Sequence, residues 1–529
     1  MLTLALVDED ALTGVLCRQY GITAVALTQL DLQPDVLNLV PAAIAAKHEV
    51  LPLERTDTAL TLVMADPTNV SAIHDVAFIT NLHVMPVVAS RTAIRQAIDR
   101  NYHHHRITDV VSDITSATTE LGSLEEPEPR GSPDVFELRE GGDDPPIVRL
   151  VNTILIDAIE RGASDIHWEP YENAFRLRLR VDGILHELST LPKRLEAAVI
   201  SRLKIMSSMD IAERRLPQDG RIRLRYRSRE ADLRVSTLPA SFGEKCVIRI
   251  LDKEVIRLDL ADLGFSPSAL DLFLHAIKQP YGMVLLTGPT GSGKTTTLYA
   301  GLHAINSPAI NIVTAEDPVE YNLKGVNQVQ INEAVGRTFA IALRSFLRQD
   351  PDVILVGETR DLETAQIAVR AALTGHLVLS TLHTNDCPST ITRLVDMGIP
   401  TYLVSSSLLL IVAQRLARRV CQGCKETFEI EEAVLVAHGY VPTGQGHLRV
   451  ARGKGCARCN FTGMKGRIAL YELLPITDEI RNMIVGDAST QELRGCAKAR
   501  GMTTLREAGI ARVLEGTTTI DEMLRVTLG

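Results

Sequence analysis

The sequence predicts an α/β protein of several domains, organised around one doubly wound, mostly parallel sheet with a phosphate-gripping loop. Three observations carry this. The apolar run Gly282-Met283-Val284-Leu285-Leu286-Thr287 feeds into Gly288-Pro289-Thr290-Gly291-Ser292-Gly293-Lys294-Thr295-Thr296, which has the full P-loop spacing between a strand and a helix. Further strand-like runs recur between helical stretches: Asn311–Tyr321, Val353–Glu358 and Leu377–Leu382. The chain has 529 residues, whereas single cores seldom grow beyond about 250–300.

Composition narrows the class. With 45% hydrophobic and 23% charged residues the chain reads as globular, and a net charge of −9 argues against bulk electrostatic binding to nucleic acid. The start, Met1 to Asp10, has no positive region and turns acidic too soon for a secretory signal, so no export is expected. The most apolar later run, Leu403–Ala413, is interrupted by Ser405, Ser406 and Ser407 and falls short of the roughly 20 residues needed to span a bilayer. The expectation is a cytoplasmic protein.

Taken in order, residues 1–105 form a small N-terminal α/β domain for regulation or docking: Val50–Leu53, Leu60–Pro67 and His83–Val88 are extended apolar runs stopped or interrupted by Pro. The His103-His104-His105 tract heads into polar chain and is read as solvated rather than as a metal site. Residues 106–145 turn to Ser, Thr, Asp, Glu, Gly and Pro, the composition of a flexible linker. A second α/β domain, 146–255, opens with helical spacing in Ile147–Ile159; Phe175–Val181 then alternates with period two and ends in a hairpin-type Asp182-Gly183. Residues 256–529 form the motor domain, including a zinc subdomain at 415–465 and a tail from 466 that reads as mostly helical.

The motor motifs ask for particular chemistry. Glycines let loop N–H groups converge on phosphate, the opening helix adds its positive end, Lys294 reaches the β/γ-phosphates and the Thr295 hydroxyl ligates Mg²⁺. Glu358 ends an apolar strand, as the acid of a Walker B strand does, and is the candidate for activating water. Before it stands Gly357 where many P-loop enzymes keep a Mg²⁺-holding Asp, leaving Thr295, the phosphates and water for the metal. Glu316, Asp317 and Glu320 crowd one strand end, either to hold water or the Mg²⁺ shell or, through Asp317-Pro318, simply to start a turn. His376 and His383 flank one strand, which argues for separate roles. Arg344 and Arg348 share a helix face, either as solvated surface or to complement phosphate charge.

Eight cysteines do not make a disulfide scaffold in a chain this long, and four form Cys421-x-x-Cys424 and, after thirty-one intervening residues, Cys456-x-x-Cys459. Doubled pairs of soft ligands suit a closed, structural Zn²⁺ site, with redox activity as the weaker alternative. Cys17, Cys246, Cys387 and Cys496 are read as small hydrophobes.

These residues together resemble the secretion-type ATPases that drive type IV pilus assembly and type II secretion, over residues 25 to 529. Walker A corresponds to Gly288–Thr295, the Asp box to Glu316-Asp317-Pro318-Val319-Glu320-Tyr321, the atypical Walker B to Gly357-Glu358, and the His box to Thr374-Gly375-His376 through His383-Thr384-Asn385; Gln218-Asp219-Gly220-Arg221 and the four cysteines also match. The resemblance implies a RecA-like P-loop motor preceded by a PAS-like α/β domain. It implies homo-hexamers in which ATP lies between the motor and second domain of one subunit and arginines of a neighbour, and on matching positions Arg234, Arg249, Arg344 and Arg348 become the phosphate-facing arginines. The implied work is ATP hydrolysis, with Mg²⁺ and structural Zn²⁺, driving an inner-membrane platform protein and its associated pilus or secretion assembly proteins from the cytoplasmic face of the inner membrane, with no nucleic acid. The tetracysteine and the long N-terminal region look like assembly motors rather than retraction motors. The N-terminal domain resembles some that bind cyclic di-GMP, but this chain begins where their Arg-Leu-Gly motif is expected and does not carry it, so binding is not expected. Thr359 stands where the family usually has Ile, with no consequence expected. Leu474–Arg481 and Gly501–Arg506 look more like the pilus branch than the secretion branch. A zinc-assisted nucleic-acid translocase would call for basic or aromatic surfaces that a 4% aromatic, acidic chain does not advertise. A nucleotide-gated scaffold without turnover is disfavoured by the intact Glu358.

Overall fold

A computed structural model describes residues 18–19, 21–25, 27, 34–37, 39–56, 58–91, 93–94, 97–98, 136–138, 145–227, 229–252, 259–442, 444 and 446–528. Cys17, the histidine triplet and most of the expected linker lie outside these residues. By backbone contacts the chain divides into two compact units: residues 1–228, 232–250 and Cys456–Phe461 in one, and residues 229–231, 251–455 and 462–529 in the other.

Within the first unit, strands β1 (Val50–Arg55), β2 (Ala59–Met64) and β3 (His83–Val88) form a three-stranded sheet in that order, β1 and β2 antiparallel, β2 and β3 parallel. Leu51, Leu60, Leu62, Val63 and Met64 bury one core with Ala72 and Val76 of the helix Val70–Thr80. Pro52 and Pro86 interrupt the apolar pattern without ending these strands. Both sit on edge strands, where a missing N–H costs no ladder bond.

A second sheet in this unit has seven strands in the order β4-β8-β9-β10-β5-β6-β7, formed by Phe136–Leu138 (β4), Ala163–Pro170 (β5), Ala174–Val181 (β6), Ile184–Pro192 (β7), Gln218–Tyr226 (β8), Arg229–Ala240 (β9) and Gly243–Asp252 (β10). The period-two reading of β6 holds: Phe175, Leu177 and Leu179 are buried while Arg176, Arg178 and Arg180 alternate with them. Asp182 and Gly183 both take positive φ, 47° and 86°, as a two-residue primed turn requires. The strand β4 lies inside the stretch read as linker. Phe136 and Leu138 flank Glu137 in a short alternation, and pairing with β8 buries Leu138.

The motor sheet belongs to the second unit and runs β13-β12-β14-β15-β11-β16-β19. Its strands are Gly282–Thr287 (β11), Ile312–Glu316 (β12), Asn327–Gln330 (β13), Val353–Val356 (β14), Leu377–Leu382 (β15), Leu408–Val420 (β16) and Met464–Pro475 (β19); a hairpin of Lys425–Glu431 (β17) and His447–Gly453 (β18) leaves it between the last two. All pairs are parallel except β16 with β19. Both faces are covered. Met283, Leu285, Ile354, Val356 and Val378 enter one core, and Val284, Leu286, Val353, Leu355 and Leu379 the other. At about 1.5–3 kcal/mol for each fully buried aliphatic side chain, this double burial explains why the strands read as unbroken apolar runs.

Two expectations change here. The run Leu403–Ala413 splits into the helix Thr401–Ser407 and the start of β16. The tail from Gly466 begins inside the twelve-residue β19 before four helices follow, Asp478–Val485, Thr490–Ala499, Leu505–Leu514 and Ile520–Thr527. Ala469, Tyr471 and Leu473 face one core and Leu470 and Leu474 the other, so this strand has no alternation to distinguish it from a buried helix. Among the described residues no helix is long and apolar enough to cross a membrane.

Candidate active site

The loop Gly288–Gly293 leaves the carboxyl end of β11, the strand between β15 and β16, and opens the helix Lys294–Ile305. Carboxyl ends of parallel strands are where such sheets bind ligands. Gly288 has φ 146°, and a Cβ there would approach the Gln414 carbonyl oxygen to 2.5 Å. Only glycine lets the loop lie this close to β16.

Lys294 is 9% exposed, and its Nζ donates to the carbonyls of Gly288 (2.6 Å) and Pro289 (3.2 Å). Burial, aided by the Arg415 charge and opposed by Glu358, pulls its pKa down to about 8. Thr295 and Thr296 are exposed on the first helical turn, as are Pro289, Thr290 and Gly291 in the loop. The Ser292 hydroxyl is buried without a hydrogen-bond partner, a donor available to an incoming phosphate.

Glu358 follows β14 on the same edge of the sheet, with its side chain 13% exposed. One oxygen lies 2.5 Å from Arg360 Nη2 and the other 3.5 Å from His383 Nε2. The glycine before it has a steric cause: a Cβ on Gly357 would sit 3.2 Å from the Ala315 carbonyl oxygen and 3.3 Å from Glu316 Cα. Thr359 is buried, its hydroxyl 2.8 Å from Ser380 Oγ, and so ties the segment after Glu358 to β15.

His376 stands at the other end of β15, its Nδ1 3.0 Å from the Ala371 carbonyl oxygen, and its own carbonyl accepts from the N–H of Gly282 at the amino end of β11. At about 3.3 Å per residue, seven residues put the two histidines roughly 20 Å apart. The structure therefore brings His383, and not His376, to the P-loop edge of this chain.

Glu316 ends β12 at that edge but points inward. At 3% exposure, Oε2 accepts from the Tyr299 hydroxyl, while Oε1 accepts from the Thr314 hydroxyl (2.5 Å) and the Gln328 amide (3.1 Å). Burial, then the Glu316 charge, pushes the Tyr299 and Tyr321 hydroxyls above the usual phenol range. Three donors occupy this carboxylate, joining the P-loop helix to β12 and β13. Asp317 is exposed and Glu320 half-buried in the segment that follows.

Arg344 and Arg348 are exposed on and just after the helix Phe339–Phe346; Arg344 pairs with Glu363 at 2.5 Å, and Arg348 Nη1 donates to the Arg344 carbonyl at 2.7 Å. In the first unit, Arg234 is half-buried on β9 and Arg249, on β10, donates to Asp165 at 3.1 Å. Gln218 holds the preceding loop by accepting from Asp210 N–H (2.8 Å) and donating to the Asp210 and Glu213 carbonyls (both 2.9 Å).

Sequence reading missed Gln414 and Arg415. Both are buried on β16 beside the loop, and Gln414 Oε1 accepts from the Thr297 hydroxyl at 2.9 Å. The available signal was a polar pair at the end of the apolar run Leu408–Ala413.

The second candidate site is the tetracysteine. The sulfurs of Cys421, Cys424, Cys456 and Cys459 all lie within 4.8 Å of one another, and those of Cys456 and Cys459 are 3.8 Å apart. A tetrahedral Zn²⁺ with bonds of about 2.3 Å would set its sulfurs about 3.8 Å apart, so the donor set fits. N–H groups of Gly455 and Cys456 donate to the sulfurs of Cys424 (3.3 Å) and Cys459 (3.2 Å), the outer-shell support such ligands use. The spacer between the pairs is the β17–β18 hairpin with the short helix Glu432–Val436.

The family described as Type II/IV secretion system protein matches residues 140–525, and the MshEN domain matches residues 20–108. The chain is 48% identical to the type IV pilus assembly ATPase PilB of Myxococcus xanthus over 98% of this chain and 91% of that one. It is 48% identical to the type II secretion system protein E of Pseudomonas aeruginosa over 82% of this chain and 86% of that one. The ATPase DotB of Legionella pneumophila superposes with a TM-score of 0.53 at 20% identity, over 74% of this chain and 98% of that one, a likeness of fold.

Proposed function

Since the chain belongs to the Type II/IV secretion system protein family, we propose that it is the cytoplasmic hexameric motor that hydrolyses ATP to power type IV pilus assembly through an inner-membrane platform protein. ATP hydrolysis itself comes with the family, so the proposal concerns which machine is driven and which residues act. The observation that carries it is the convergence of Lys294, Glu358 and His383 at one carboxyl edge of the motor sheet.

In this reading the P-loop amides, Ser292 and Lys294 hold the phosphates. Mg²⁺, held by Thr295 together with the phosphates and water, would neutralise charge developing on the transferred group. Glu358 accepts a proton from the attacking water, with His383 and Arg360 orienting its carboxylate. Glu316 acts through Tyr299 as a positioning residue, and Glu320, with Asp317 near it in the Asp box, is a carboxylate able to turn toward water. Arg234, Arg249, Arg344 and Arg348 complete the charge compensation across subunits, while His376, at the opposite sheet edge, takes a separate interface role. Cys421, Cys424, Cys456 and Cys459 hold a structural Zn²⁺. The domain limits are 1–105, 106–145, a stretch that includes β4, 146–255 and 256–529.

Pilus assembly is preferred over secretion because, over nearly the whole chain, identity to a pilus motor is 48% against 42% to a type II secretion protein E of Xanthomonas campestris, and because of the C-terminal motifs. The test is genetic and biochemical together. Removing the chain from its organism abolishes surface pili, the wild-type chain restores them and Glu358→Gln does not. If pili persist while an exoprotein stays inside the cell, the motor serves secretion instead.

A further inference from the structure

Arg415 is a buried cation for which the site described above gives no use. It sits on β16, whose register with β11 carries it past the P-loop, and is 9% exposed. Its Nη1 lies 3.0 Å from where a Gly288 Cβ would be, so the guanidinium occupies space that the glycine leaves open. All its hydrogen bonds go to neutral oxygens: Nη1 to the Gln414 carbonyl (3.1 Å), Nη2 to the Asn385 carbonyl (3.0 Å) and side chain (3.2 Å). Among the described residues it forms no ion pair. The carboxylates that it senses, Glu472 and Asp386, are engaged elsewhere: Glu472 accepts from the N–H groups of Cys387 (2.8 Å) and Leu505 (3.3 Å), and Asp386 pairs with Arg494. Burying a charge without a counter-charge is costly, and a fold that keeps one beside a phosphate loop has a natural candidate for the missing anion.

We propose that Arg415 is a phosphate-compensating positioning residue supplied in cis: from behind Gly288 its charge is answered by the nucleotide's phosphates, and its fork fastens β16, against which the loop lies, to Asn385, two residues after His383. The buried, unpartnered Ser292 hydroxyl is an independent sign that the same pocket awaits an oxyanion. A second tie runs in parallel, since Thr287 Oγ1, at the loop's start, accepts from the N–H of Thr384 at 2.9 Å. Phosphate entry on one side of Gly288 is thus felt directly by the segment that carries His383 on the other.

The inference rests on the P-loop being the ATP site, and the experiment separates the two. With the full chain, ATP affinity is measured for wild type, Lys294→Ala, Arg415→Lys and Arg415→Met, with melting temperature as a check on folding. Wild type binds and Lys294→Ala does not; any other outcome removes the ATP site itself. Arg415→Lys stays within about threefold of wild type and Arg415→Met loses at least tenfold. An Arg415→Met chain that binds within threefold, or an Arg415→Lys chain as weak as it, overturns the charge role. Should Arg415→Met fold poorly, Arg415→Gln takes its place under the same thresholds, and retention of affinity by the conservative Arg415→Lys supplies the reading that a purely structural arginine would not give.

Discussion

At the scale of single residues, Glu358 and Glu316 show how two strand-end carboxylates of similar appearance differ in physical state. Glu358 faces His383 and Arg360 at the sheet edge; Glu316 is saturated by Tyr299, Thr314 and Gln328. We expect Glu358→Gln to lower ATP turnover by at least about 100-fold with ATP binding retained, read by steady-state hydrolysis beside a binding assay. Tyr299→Phe leaves one buried Glu316 oxygen without its donor, so unfolding in denaturant should show a loss of about 1–3 kcal/mol. Lys294 gives a pH prediction. Its folded pKa, about 8, lies below that of the unfolded lysine, so the penalty of burying its charge is present below pH 8 and is relieved as pH rises from there. Phosphate binding needs the charged form, and ATP affinity should therefore fall above about pH 8. An affinity flat from pH 7 to 9.5 would contradict the buried-lysine picture.

At the scale of elements, the last helix, Ile520–Thr527, is fastened to β16 by a buried carboxylate. Glu522 is 1% exposed; burial opposes its charge, but bonds from Arg525 and Arg418 prevail and hold its pKa at about 2. Breaking a buried pair costs roughly 3–5 kcal/mol. Because Arg525 is half-exposed, Glu522→Gln should fall at or below the low end of that range, measured by chemical denaturation. Since the folded pKa is depressed, this contribution is present above about pH 4.5 and fades as pH drops toward 2. The hairpin β17–β18 depends on a different fastening. Cys421→Ser should release near-stoichiometric Zn²⁺ from the purified protein, read by metal analysis; retained metal would rule out the tetrathiolate.

At the scale of the whole molecule, the proposed site is shared between subunits, so turnover per chain should rise with protein concentration through the range where hexamers form. Mixing makes this sharper. Glu358→Gln chains and Arg249→Ala chains, each inactive alone, should recover part of the wild-type rate when co-assembled, because some interfaces then combine an intact Glu358 with an intact Arg249. No recovery would mean that both residues act within one subunit.

What the sequence determined by itself was everything written in local pattern. The P-loop spacing, the period-two strand ending at Asp182-Gly183, the apolar strands β11, β12, β14 and β15 and the doubled cysteine pairs each follow from neighbours a few residues apart. Tertiary structure decided what depends on distant partners. β19 is a strand because β16 pairs with it along its length, and β4 is a strand because β8 offers an edge. Glu316 turns inward because Tyr299 and Gln328, seventeen and twelve residues away, supply donors there. Arg415 became visible only when β16 was laid beside β11, since nothing in the order of residues 288 and 415 says that a guanidinium fills the space a glycine leaves.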